Sequence, residues 1–120
     1  MVTSSTNDTK ATLSRHLEAA VSKNLDAILE DYGDESVIYT PDGPIRGLDE
    51  IRAFFTEFLA NVVTPEFLSN LKMLRQDVEG EIAYIVWTAG DIVPFATDTM
   101  VVRNGKVLIQ TFASYKPGSS

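Results

Sequence analysis

Three side chains in this sequence could hold or move a proton from inside a folded core: His16, Asp98 and Thr40. His16 is the single histidine of the chain. It falls within an apolar helical spacing of Leu13, His16, Leu17, Ala20 and Val21, and an unperturbed imidazole titrates close to neutrality. It reads either as a donor or general acid–base facing a pocket, or as a core histidine bonded to the backbone. Asp98 lies in FATDTMVVR, where strand alternation puts Ala96, Asp98, Met100 and Val102 on one face. A carboxylate among apolar neighbours must find a partner or stay protonated with a raised pKa. Such carboxylates serve in catalytic sites and in structural networks alike. Thr40 shares a face with Ile38. Its hydroxyl donates and accepts, but unaided it is no base near neutral pH. Asp42 reads as a turn residue of TPDGP, with the rim of a cavity as the second reading.

These residues need elements to position them. Residues 9–23 have helical spacing, and Asn24 can end that helix and cap a second one carrying Leu25, Ile28 and Leu29. Gly33 suits the left-handed position past a helix end. Ser36 to Thr40 reads as a strand, and Pro41, Gly43 and Pro44 force a turn. A third helix starts near Leu48, with Asp49 and Glu50 in its first turn and Ile51, Phe54, Phe55, Phe58 and Leu59 as its buried stripe. After Pro65 the texture becomes that of strands: EFLSNLKMLRQDV, EIAYIVWTAG, FATDTMVVR and KVLIQTFASY, joined by hairpin signals at VEGE and RNGK. The plan is α+β, with three N-terminal helices packed on a curved, mainly antiparallel sheet. Such a sheet can enclose a pocket, and Tyr32, Tyr39, Tyr84, Tyr115 and Trp87 are read either as its aromatic walls with polar tips or simply as core.

Composition narrows the field. The 120 residues make one domain, read as a single unit over 1–120 with flexible ends at 1–8 and 117–120. The net charge of −7 and scattered basic residues argue against nucleic acid as a partner. The absence of cysteine excludes disulfides and thiolate metal sites and fits a reducing cytoplasm. No apolar run approaches membrane-spanning length, and MVTSSTNDTK has no basic start followed by an apolar stretch. No phosphate loop, metal-ligand spacing or glycine fingerprint is present, so neither metal nor cofactor is expected.

The segment KNLDAILEDYGDESVIYTPDGPIRGLDEIRAFF resembles a pattern of the NTF2-like superfamily. That pattern is an aspartate-led short helix, a tyrosine, an acidic turn, a strand ending before proline, a glycine, and a helix opening on an acidic residue. The closing GKVLIQTFASY resembles the superfamily's last strand. The superfamily includes ketosteroid isomerase, SnoaL-like polyketide cyclases and limonene-epoxide hydrolase, and its fold is a cystatin-like cone. Carried over residue by residue, the resemblance puts the isomerase's oxyanion-hole acid on Asp98. It puts the partner tyrosine on His16, a supporting tyrosine on Tyr32, and another on Phe55. The general base falls on Thr40, which breaks the pattern, because general acid–base assistance contributes roughly 10²- to 10⁴-fold in rate. Two functions follow. One is a pocket for a small hydrophobic molecule with isomerase-, cyclase- or dehydratase-type chemistry, His16 and Asp98 being catalytic and Tyr32, Thr40, Phe55, Trp87 and Met100 binding ligand. The other is a non-catalytic ligand-binding or dimerising module. The resemblance also implies a homodimer formed through the sheet face.

Overall fold

The computed structural model describes residues 2–115. In chain order the elements are α1 (Val2–Val21), α2 (Leu25–Leu29), β1 (Val37–Thr40), β2 (Gly43–Arg46), α3 (Gly47–Asn61), α4 (Pro65–Asn70), β3 (Leu71–Glu79), β4 (Ile82–Ala89), β5 (Val93–Arg103) and β6 (Lys106–Tyr115). The six strands form one sheet in the order β2-β1-β6-β5-β4-β3. Every neighbouring pair is antiparallel except β1 with β6, which run parallel. The α+β plan is as expected, and the helices cover the inner face of the sheet.

Local chemistry explains most boundaries. α1 ends with Lys23 in the left-handed region (φ 56°), and the Asn24 and Lys23 N–H groups return to the carbonyls of Ala19 and Ala20. The Asn24 side chain then accepts from the Ala27 N–H at 3.1 Å, capping α2. Asn104 and Gly105 both have positive φ, which makes the β5–β6 connection the tight hairpin that Asn-Gly favours. Irregular pairing between Met73 and Arg75, between Trp87 and Ala89, and between Val101 and Val102 bends the sheet.

Three expectations from the sequence are corrected, at Gly33, at EFLSN and past Asp42. The polar start of the chain is helical from Val2. It is held there because Thr9 donates to the Gly80 carbonyl at 2.6 Å and the Gly80 N–H donates to Thr6 at 2.9 Å. Residues 117–120 lie outside the described residues. Gly33 does not take the left-handed conformation; its N–H instead donates to Ser36 Oγ at 2.9 Å. The first part of EFLSNLKMLRQDV is a helix, α4, because Thr64 accepts from the Phe67 N–H and Pro65 occupies the first turn. Beyond the turn at Asp42 the chain forms a four-residue partner strand, β2, beside β1.

Ser36 ties the lead-in of β1 to the sheet. Its buried hydroxyl accepts from Gly33 and donates to the Val107 carbonyl at 2.6 Å. Replacing Ser36 by Ala leaves buried backbone groups unpartnered and is expected to cost about 1–3 kcal/mol. Urea denaturation would show this as a lower midpoint with an unchanged slope.

Candidate functional site

The inner sheet face and α1, α3 and α4 enclose a cavity of about 90 Å³. That is room for several waters, each needing roughly 10–15 Å³ of such space. Its walls are almost wholly apolar. α1 gives Leu17, Ala20 and Val21, α3 gives Phe54, Phe55 and Phe58, and the sheet gives Ile85, Met100 and Phe112. Val21 and Met73 are exposed and stand at its outer end. The polar members of the lining are His16, Trp87, Asp98 and Gln110.

Asp98 is where strand alternation put it, on the inward face with Ala96, Met100 and Val102, all buried. Both carboxylate oxygens are engaged. Trp87 Nε1–H donates to Oδ1 at 2.8 Å, and Gln110 Nε2–H donates to Oδ2 at 2.8 Å. The Tyr32 hydroxyl in turn donates to Gln110 Oε1. Burial pushes the Asp98 pKa up to about 6, and the two donors hold it from rising further. Near neutral pH the group is therefore mostly a carboxylate, an acceptor facing a cavity with almost no water-like wall. Burial also raises the Tyr32 hydroxyl well above its usual range, so Tyr32 stays protonated and available as a donor.

His16 is 6% exposed and lies edge-on to the rings of Tyr32 and Phe55, each with its centroid 5.9 Å away. Its Nδ1 is enclosed and has no hydrogen-bond partner among the described residues. Burial alone brings its pKa down to about 4, so the ring is neutral near pH 7. No hydrogen bond joins His16 to Asp98, and burial is the one cause of the histidine's lowered pKa. The two groups instead face the same space independently.

The structure thus brings His16, Phe55, Trp87, Asp98 and Met100 to one cavity. Tyr32 stands behind it, reaching it through Gln110. Thr40 is not part of it. Its hydroxyl donates to the Gly43 carbonyl at 2.9 Å and accepts from the Asp42 N–H at 3.2 Å, so the β1–β2 turn consumes it. Thr40 and Asp42 line a separate outer groove, which corrects the placement of Thr40 beside His16 and Asp98. Gln110 was missed by the sequence reading, although it stands between Leu108 and Phe112 in alternation, the same signal that marked Asp98. Asp31 was missed as well. It is 2% exposed, with Oδ1 3.3 Å from Arg15 and Oδ2 enclosed without a partner among the described residues. Burial raises its pKa against the pull of Arg15. It belongs to a polar cleft between α1 and α2, not to the cavity. Among the described residues no cluster of three or more His, Asp or Glu side chains could hold a metal ion, and no helix is long and apolar enough to cross a membrane.

A cone of helices on a bent sheet, with a hollow between them, defines the NTF2-like class of folds. The model of a SnoaL-like domain matches residues 13–109, and the chain belongs to that family. No curated protein matches it at a significant level. Among solved structures it is similar to an NTF2-like protein of unknown function from Pseudomonas putida KT2440 (TM-score 0.77, 14% identity, covering 99% of this chain and 92% of that one). It is also similar to an NTF-2 like protein of unknown function from Burkholderia xenovorans LB400 (0.73, 21%, 95% and 88%). A third is an LEH-like epoxide hydrolase from M. tuberculosis (0.69, 14%, 92% and 84%). At these identities the likeness is one of fold.

The two titratable groups of the cavity act on stability with opposite signs. Asp98 has a raised folded pKa, so its contribution is greatest below about 3.8 and is lost as pH rises through about 6. His16 has a lowered one, so its contribution is present above about 6.5 and is lost as pH falls through about 4. Each is worth roughly 3 kcal/mol. Relative to the parent protein, Asp98→Asn should gain stability as pH rises from 4 to 6, and His16→Phe should lose it. Urea titrations at a series of pH values would check this; parallel curves for all three proteins would contradict it.

Proposed function

We propose that this SnoaL-like domain binds a small apolar molecule carrying a hydroxyl group, with that hydroxyl held between His16 and Asp98. The observation that carries this reading is a pair of unlike polar groups in an apolar hollow. The enclosed Nδ1 of His16 has no hydrogen-bond partner among the described residues, and Asp98 has both oxygens receiving donors. Trp87 can only donate, so Oδ1 must accept. A proton on His16 Nε2 keeps the donor on the open side of the ring and leaves only a lone pair at the enclosed Nδ1. A hydroxyl serves both partners, because its oxygen accepts from His16 while its proton goes to Asp98. A ketone offers only the acceptor, and a hydrocarbon offers neither.

The single tryptophan and single histidine give clean reporters. Cyclohexanol should shift the Trp87 indole N–H and the His16 ring signals in NMR spectra. It should bind about tenfold more tightly than cyclohexanone, the worth of one hydrogen bond near 1.4 kcal/mol, and about a hundredfold more tightly than cyclohexane, the worth of two. His16→Phe should weaken cyclohexanol and cyclohexanone by a similar factor and leave the preference of the alcohol over the ketone, which Asp98 supplies. Equal affinities for the three in the parent protein would defeat the reading.

Proton transfer is the second reading, and it is favoured by the placement of Asp98 as a carboxylate whose proton affinity lies within about one unit of neutrality. With Thr40 spent in its turn, Asp98 is the one acid of the cavity lining. An activity using it as base would therefore move a proton to and from a single carboxylate. Asp98→Asn should then lower turnover of an accepted substrate by at least about 10²-fold.

The outer sheet face supports a homodimer. Ile82, Val101 and Ile109 stand opposite one another across β4, β5 and β6, and Phe95 stands opposite Tyr115. Ile82, Ile109, Phe95 and Tyr115 are all exposed, at 45%, 38%, 49% and 60%. Exposed apolar side chains at both ends of one sheet face suit an association site, and a second copy presenting the same face is self-complementary. Sedimentation at micromolar concentration should show a dimer that Ile109→Asp converts to a monomer.

A further inference from the structure

The cavity is small for a ligand site. Pockets that hold organic ligands commonly span roughly 300–1,000 Å³, and this one has about 90 Å³. Beside it lies an outer groove of about 360 Å³, between the β1–β2 hairpin and α3. The two spaces have two residues in common: Phe54 and Phe58 line both. One turn apart on α3, they present adjacent side chains on one face. Their rings are stacked, with centroids 6.2 Å apart and planes 10° from parallel. Both are only half-buried, unlike the neighbouring Phe55. These two stacked rings are thus the side chains that border both the cavity and the groove.

Resting on the reading of the cavity as a hydroxyl site, we propose that Phe54 and Phe58 are a movable partition. Cavity and groove are then two halves of one site for an elongated aliphatic alcohol. Its hydroxyl lies at His16 and Asp98. Its chain crosses between the rings and continues along Pro44, Ile45 and Val62, which give the groove an apolar floor. Helical side chains of this type exchange between two χ1 wells, and swinging either ring away from the other opens the wall without moving the backbone. Phe54 and Phe58 are then the residues that set ligand length. The carboxylates of Asp42 and Glu57 at the groove's edge keep its far end wet.

The test uses the full chain and straight-chain primary alcohols from butanol to decanol. Two NMR probes report the two halves: the Trp87 indole N–H at the cavity and the Ile45 side-chain methyl in the groove. Butanol should move Trp87 alone. Octanol and decanol should move both probes with one shared dissociation constant. Phe54→Leu and Phe58→Leu should lower the chain length at which Ile45 responds and tighten decanol binding about fivefold. Their unchanged amide spectra away from α3 would show that the fold is intact. If long alcohols move Trp87 alone at every length, or move the two probes with different constants, the partition is fixed and this proposal falls while the cavity reading stands. Silence of Trp87 with every alcohol would overturn the cavity reading and the partition with it.

Discussion

The carboxylate of Asp98 has left water, and the inner side of the sheet is arranged around that fact. An ionised carboxylate in an apolar interior costs many kcal/mol unless donors replace its hydration. Two are supplied, from the strands on either side. Trp87 on β4 and Gln110 on β6 flank β5 and reach inward to one oxygen each. Hydrogen bonds to a charged group are worth about 1.5–3 kcal/mol apiece, so the pair offsets part of the burial and not all of it. The residue of that imbalance is an acid whose proton is held near neutrality. The Tyr32 hydroxyl extends the arrangement across β1 to the loop after α2 by engaging the far end of the Gln110 amide.

Helices and sheet contribute different things to the hollow. The sheet brings the connected polar groups. The helices bring rings and methyl groups, with one exception, His16, whose Nδ1 has no partner among the described residues. An imidazole enclosed by Tyr32 and Phe55 has nothing nearby to stabilise a positive charge, so it stays neutral. Near neutral pH the cavity therefore contains one negative charge, one uncharged ring and no fixed cation in its lining. That balance suits an uncharged guest with a polar end.

Much of this was legible in the residues. Period-two alternation in FATDTMVVR placed Asp98 inside, and helical spacing placed His16 and Phe55 against it. Asn-Gly fixed the last hairpin, and the resemblance over residues 23–55 and the final strand indicated the cone. The misses have physical causes. EFLSN was read as strand because its apolar residues suit either element, yet Thr64-Pro65 is an N-cap followed by a first-turn proline and marked α4 in advance. Thr40 was carried to the cavity by homology of position, but a hydroxyl one residue before a Pro-Asp-Gly turn has closer acceptors and donors in the turn itself. Helicity over residues 2–8 rests on contacts with Gly80, a partner more than seventy positions away that no local pattern reveals. Gln110 was overlooked because a neutral amide in a strand carries no obvious cost, whereas a carboxylate does.

The irregular pairing of β5 with β6 has a consequence for how this chain can change. Val102 is opposite Val107 but Val101 is opposite Ile109, so Leu108 is an extra residue in β6. The strand is consequently read in two frames: Val107 before the insertion and Gln110 after it both end up buried. Loss of one residue between Lys106 and Ile109 would shorten the strand by that extra unit while the Asn-Gly hairpin kept its anchor. Gln110 would then need no rotation to remain inward, and the curvature that separates sheet from helices would relax instead. A one-residue change in length at this position would therefore act on the bend of the sheet while the residues lining the hollow stayed the same.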